Sequence, residues 1–262
     1  MRRPAAAALA FAASLLLAGC AQQPIVDGGS GDATGNLGSP TAGPSPADVY
    51  IDLSAAYLRE NRLSDALLNA RKGVLVDPRS SNAQYMLALV HQALGQAQPA
   101  EQAYRKSVAL DPRNPLALNA YGLFLCNQER MDEADPYFRR ALENPLYPTP
   151  WLALHNAGWC HEQAGRIEEA DRDYRAALRQ NPKFPPSLLG MARISVASGN
   201  FLSARAYLQR YEEVADHTAE SLWIGVQAEH QLGDRKQKAS YGLQLRARFP
   251  DSDEAQYLQS IE

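Results

Sequence analysis

The chain has 262 residues, with 26 Lys or Arg against 29 Asp or Glu and a formal net charge of −3. Two of the arginines, Arg2 and Arg3, open an apolar leader; without them the balance is 24 against 29 with no dense basic run, which excludes the concentrated positive footprint of a nucleic-acid binder. Hydrophobic residues are 45% of the whole, enough for one continuous helical core and with no sign of a second core domain.

Arg2 and Arg3 form a positive n-region, Ala5 to Ala18 follow as an apolar stretch, and Leu17-Ala18-Gly19-Cys20 resembles a bacterial lipobox. A membrane-spanning helix needs about 20 apolar residues, so residues 1–19 read as a lipoprotein signal peptide and not as an anchor. Cys20 is then the expected site of lipidation and the mature N-terminus, with each buried acyl methylene contributing roughly 0.8 kcal/mol. The plainer alternative is an ordinary secretory signal beside a chance cysteine. Resemblance to bacterial lipoproteins implies that Ala21, a residue other than Asp after the cysteine, favours the periplasmic face of the outer membrane.

Residues 20–46 carry the expected acylated cysteine and then a run of Gly, Ser, Pro, Asp and Thr with few large apolar residues. Such a composition cannot bury enough surface to fold. It reads as a tether with a root-mean-square span of about 25–30 Å.

From residue 47 to residue 250 one pattern recurs every 34 residues. Pro78, Pro112, Pro182 and Pro250 close repeats one, two, four and six, and a two-residue insertion in Asn144-Pro145-Leu146-Tyr147-Pro148-Thr149-Pro150 accounts for the one irregular interval. Asn61, Gly95, Gly165, Gly199 and Gly233 mark a turn between two helices in each repeat, where a left-handed residue is expected; Glu129 stands there in repeat three. Small and aromatic residues keep helical spacing around these markers. Examples are Leu118, Gly122, Ala134, Phe138 and Ala141, then Leu154, Gly158, Ala170, Tyr174 and Ala177.

This period and these offsets resemble the tetratricopeptide signature. The expected fold is therefore all-α, a tetratricopeptide superhelical solenoid of six helix-pair repeats: 47–80, 81–114, 115–150, 151–184, 185–218 and 219–252. Repeat five has Asp216 in place of its closing proline, and repeat six puts Lys238 where a small residue belongs. The polar tail from 251 to 262 reads as a short capping helix.

Chemistry is sparse. His155, Cys160, His161 and Glu162 cluster in repeat four, but their spacing matches no metal motif, and no serine-hydrolase elbow, zinc-protease motif or phosphate loop is present. Neither an enzyme, a small-molecule substrate nor a cofactor is expected, apart from covalent lipid on Cys20. Cys126 and Cys160 lie on the first helices of neighbouring repeats and could meet in a disulfide; two buried free thiols acting as small apolar groups are the simpler reading.

Function then falls to the concave face, lined in this architecture by fixed positions of each first helix. These positions give Ile51, Leu58, Tyr85, Leu89, Leu116, Asn119, Leu123, Leu152, Trp159, Leu189 and Trp223, an apolar set suited to a partner's amphipathic helix.

Three strings exceed what the generic repeat demands: Asn119-Ala120-Tyr121-Gly122-Leu123-Phe124-Leu125-Cys126, the junction Asn144-Pro145-Leu146-Tyr147-Pro148, and Ala239-Ser240-Tyr241-Gly242-Leu243-Gln244-Leu245 before Phe249-Pro250. With the lipobox they make the chain resemble the PilF/PilW lipoproteins of type IV pilus biogenesis, which are pilotins for the secretin PilQ. The resemblance implies secretin PilQ subunits as partner and a role in secretin assembly at the outer membrane, hence in twitching motility. The tether and the cysteine pair are not carried by it. A lipoprotein adaptor of β-barrel assembly or cell-wall machinery is the alternative from a different functional class.

Overall fold

The structure is a computed structural model that describes residues 45–261. The leader, Cys20 and the tether up to residue 44 lie outside the described residues. Thirteen α-helices and no strand are found among the described residues. Six consecutive pairs are α1 (Pro46–Arg59) with α2 (Leu63–Val76), α3 (Ser81–Ala93) with α4 (Ala97–Leu110), α5 (Pro115–Asn127) with α6 (Met131–Leu142), α7 (Pro150–Gln163) with α8 (Ile167–Gln180), α9 (Pro185–Ala197) with α10 (Phe201–Glu212), and α11 (Ala219–Leu232) with α12 (Arg235–Arg248). A single helix, α13 (Asp253–Ile261), follows.

The sequence sets the ends of these helices. Pro46, Pro115, Pro150 and Pro185 open first helices, where a missing N–H goes unneeded. Ser45, Ser80, Asn114 and Thr218 accept a first-turn amide on their side chains. At the turn inside every pair the backbone is left-handed: Asn61, Gly95, Glu129, Gly165, Gly199 and Gly233 have φ between 56° and 77°. The residue after each donates its N–H back five residues, as from Arg62 to Tyr57 and from Arg166 to His161, both 2.8 Å. That closes the first helix in the same way six times, and Glu129 conforms although it is not a glycine.

Each helix packs on the next, and each odd helix also packs on the following odd helix, from α1 on α3 through α11 on α13. Among the described residues consecutive even helices do not bring their Cα atoms within 8 Å of each other. The odd helices therefore crowd together on the inner side of the stack and the even ones fan out on the outer side.

The close approach of the helices depends on small residues facing rings. A Cβ on Gly158 would sit 2.8 Å from Tyr174, and one on Gly190 2.7 Å from the other side of the same ring. Gly122 holds Phe138, and Gly225 holds Tyr241, in the same manner. The Gly225–Tyr241 contact has the same residue spacing as Gly158–Tyr174, so in repeat six the packing runs one residue ahead of the expected frame. Lys238 is half-buried and carries none of it.

Cys126 and Cys160 form a disulfide with Cα atoms 5.7 Å apart, joining α5 to α7. This corrects the free-thiol expectation: the odd helices of neighbouring repeats touch, which brings the two buried sulfurs together. Helix α13 buries Ala255 and Leu258 on Leu222, Tyr241 and Leu245, closing the C-terminal end of the core.

Gly190→Val should lower stability by about 1–3 kcal/mol through the clash with Tyr174, whereas Gly73→Ala, whose Cβ would find ordinary contacts at 3.6 Å, should raise it by roughly 0.5–1 kcal/mol. Urea midpoints of the two variants separate these effects. Reduction of the disulfide removes a closed loop with sequence separation 34 and should cost about 3–4 kcal/mol on the chain-entropy argument, read as a lower midpoint with thiol reductant present.

Candidate functional site: the inner face of the odd helices

The inner face is built from α1, α3, α5, α7, α9 and α11. Of the eleven residues placed there by sequence, Ile51, Leu58, Tyr85, Leu116, Leu123, Trp159, Leu189 and Trp223 are half-buried. Each rests on a core cluster with part of its side chain accessible. Leu89, Asn119 and Leu152 are instead buried, a correction that follows from the contact of each odd helix with the next. Leu89 joins Met86 and Val90 in the core, and Asn119 accepts a 3.0 Å hydrogen bond from Asn156 Nδ2.

Trp159 packs against two core clusters at once, one drawn from repeats one to four and one from repeats four and five. Trp223 is covered from the tail: its ring meets Tyr257 of α13 edge-on at 5.3 Å. Half-buried apolar residues thus recur along this face from Ile51 to Leu189, and at Trp223 the capping helix lies against it.

Sequence reasoning missed a charged floor. Arg193 holds Glu162 in a bidentate pair, with Nη2 to Oε2 at 2.7 Å, and reaches Glu220 through Nη1. Tyr174 donates to the same Glu162 at 2.7 Å, and burial, followed by the Glu162 charge, pushes this phenol well above its ordinary value. It therefore remains a donor. The signal was available, because Glu162 and Arg193 occupy positions of the set that gave the apolar residues, but only apolar members were retained.

The His155 to Glu162 cluster divides among separate partners. His155 is buried with Nδ1 3.1 Å from Ser187 Oγ, His161 Nδ1 lies 2.7 Å from Asp173 Oδ2, Cys160 is in the disulfide, and Glu162 serves Arg193 and Tyr174. Burial, with Arg193 nearby as the lesser cause, pushes His155 down to about 3.

The repeating pairs match a family profile described as tetratricopeptide repeat over residues 51–115, 85–149, 125–185 and 161–223. They define the class as a tetratricopeptide solenoid. The type IV pilus assembly protein PilF of Pseudomonas aeruginosa is 32% identical over 254 residues, covering 97% of this chain and 98% of that one. Among solved structures, PilW, described as a widely conserved type IV pilus biogenesis factor, superposes with TM-score 0.76 at 28% identity, covering 83% of this chain and 100% of PilW. Pseudomonas aeruginosa PilF also gives TM-score 0.76, at 33% identity over 82% of this chain and 97% of that one. The chain belongs to the PilF/PilW family of tetratricopeptide-repeat proteins.

The depressed His155 value sets a pH dependence. Between pH 6.5 and about 3 the unfolded chain binds a proton that the folded chain refuses. Its contribution is fully present above pH 6.5 and is lost as pH falls, at about 1.4 kcal/mol per unit. Denaturant midpoints measured from pH 7 to pH 5 should fall in the wild type and fall less steeply in His155→Gln.

Proposed function

We propose that the protein is a lipid-anchored scaffold of type IV pilus biogenesis, a pilotin that holds secretin PilQ subunits on its inner face and promotes their localisation and multimerisation in the outer membrane. The observation that supports this reading most directly is relatedness to PilF over nearly the full length of both chains, which leaves no large part of either unaccounted for. In this reading acyl chains on Cys20 commit the protein to the periplasmic side of the outer membrane, the segment after it gives reach, and the apolar face from Ile51 to Leu189 takes an amphipathic helix of the secretin.

The energetics favour the inner face over the outer one. Half-buried aromatic side chains fixed from behind by a packed core, as Tyr85 and Trp159 are, lose little entropy on binding and are the residue types that dominate interface energy. The role is that of a binding scaffold, with His155, His161, Cys160 and Glu162 all engaged in holding the fold.

Co-purification with PilQ provides the test. Tyr85→Glu and Trp159→Glu, checked by thermal melts to retain the fold, should each weaken capture by roughly 30-fold or more, the loss expected for a hot-spot side chain. A deletion strain should lose secretin multimers and twitching, with neither variant restoring them. Undiminished multimers in the deletion strain, or capture of barrel-assembly or cell-wall proteins in place of PilQ, would overturn the reading.

A further inference from the structure

Helix α2 differs from the other outer helices in a way that secretin capture on the inner face does not use. Leu68 and Leu75 stand seven residues apart on its outward side and are 53% and 79% exposed, with Val76 beside them at 47%. At the equivalent places α4 has Gln102 and Ala109, α6 has Pro136 with Glu143 just past its end, and α8 has Arg172 and Arg179. Only the first repeat puts two leucines there.

Arg71 and Lys72 lie between these leucines on the same face, since residues three and four apart on a helix are neighbours. Both are exposed, and Arg79 is exposed just beyond the helix. In α4, α6 and α8 the arginine equivalent to Arg71 is neutralised from four residues earlier: Arg105 by Glu101, Arg139 by Asp135 and Arg175 by Asp171, each at 2.7 Å. Four residues before Arg71 stands Leu67, so this guanidinium has no such acid. The Lys72 ammonium lies 5.7 Å from the Tyr50 ring centroid. Of the two acids nearest in sequence, Asp65 is paired with Arg62 at 2.7 Å, and Asp77 accepts the backbone N–H of Arg79.

We propose that the outer face of α2, through Leu68, Arg71, Lys72, Leu75, Val76 and Arg79, docks on an anionic phospholipid surface. Leucines flanked by unneutralised basic side chains on one helix face supply the two attractions such a surface offers: apolar burial at the headgroup boundary and charge pairing with lipid phosphates. The stripe belongs to the first repeat, the one nearest Cys20 in the chain. An acyl anchor there would keep α2 at high local lipid concentration, so the inference draws on the anchoring part of the proposed function but not on PilQ. Docking through α2 leaves the inner face of the odd helices free.

The test follows amide hydrogen exchange along α2 in the full chain, produced with its leader in a bacterial host. The chain is compared in detergent, in phosphatidylglycerol–phosphatidylethanolamine vesicles and in phosphatidylcholine vesicles. Exchange across residues 68–76 should slow by roughly tenfold in the anionic vesicles relative to detergent, less so at raised salt, while α4 and α6 stay unchanged. Leu75→Glu and the double variant Arg71→Glu/Lys72→Glu, both at exposed positions, should abolish the slowing. Unchanged exchange in anionic vesicles overturns the proposal, as does equal slowing in phosphatidylcholine. Protection that arises only when another envelope protein is added also overturns it, making α2 a protein-docking face. Retention on vesicles after a high-salt wash reads the acyl anchor separately. The α2 exchange, taken at low salt without that wash, decides the docking by itself.

Discussion

The contact on which the rest of the structure depends is a glycine on a first helix meeting a ring on a second helix. Gly158 and Gly190 grip Tyr174 from two sides, so one ring fixes the approach of α7, α8 and α9 together. Gly122 with Phe138 and Gly225 with Tyr241 repeat the arrangement. Close packing leaves no slack for a methyl group here, and this sets the helix spacing that curves the stack.

A tyrosine buried in such a place brings an obligation, because its hydroxyl must find an acceptor or lose the hydrogen bonds it had in water. Tyr104 donates to Gln92, Tyr174 to Glu162 and Tyr241 to Glu212, all at 2.7 Å. Glu162, fixed by this duty, then calls for a counter-charge, and Arg193 supplies it while reaching on to Glu220. The charged floor of repeats four to six thus begins in a packing contact. In repeat three the ring is Phe138, which needs no acceptor, and the place on α5 equivalent to Gln92 and Glu162 is free for Cys126 and its bond to Cys160. At this one position Gln92 and Glu162 answer the hydroxyl of a facing tyrosine, while Cys126 faces a ring that has none and is cross-linked instead.

The period, the turns and the helix pairs were legible because each rests on local chemistry: a left-handed residue, a proline, a small residue at a fixed offset. Even Glu129 could be placed by its neighbours. What could not be read depends on distances between helices far apart in sequence. Leu89, Asn119 and Leu152 carry the position numbers of an accessible face, but position alone does not say how much of that face the next odd helix covers. Trp223 looked open until α13 brought Tyr257 against it. The one-residue advance in repeat six was hidden because Gly233 keeps the turn in phase while Gly225 and Tyr241 move ahead of it.

The two ends of the solenoid are unlike, and the difference follows from the same contact. At the C-terminal end α13 lays Ala255 and Leu258 over the core. At the other end nothing among the described residues plays that part: Val49 and Leu53 of α1 are 48% and 41% exposed, at places where α5 buries Ala117 and Tyr121 and α9 buries Ser187 and Met191. Repeat one also has Ala70 where later repeats place Tyr104, Phe138 and Tyr174, so it lacks the ring that interlocks the others. In a stack whose stability is a sum of repeat and neighbour terms, a repeat with no ring of its own and a neighbour on one side only opens at the lowest cost. The middle, held by rings, a disulfide and ion pairs, is the rigid part. A partner gripped on the inner face between Tyr85 and Leu189 would therefore meet a preorganised surface, while adjustment on binding would concentrate in α1 and α2.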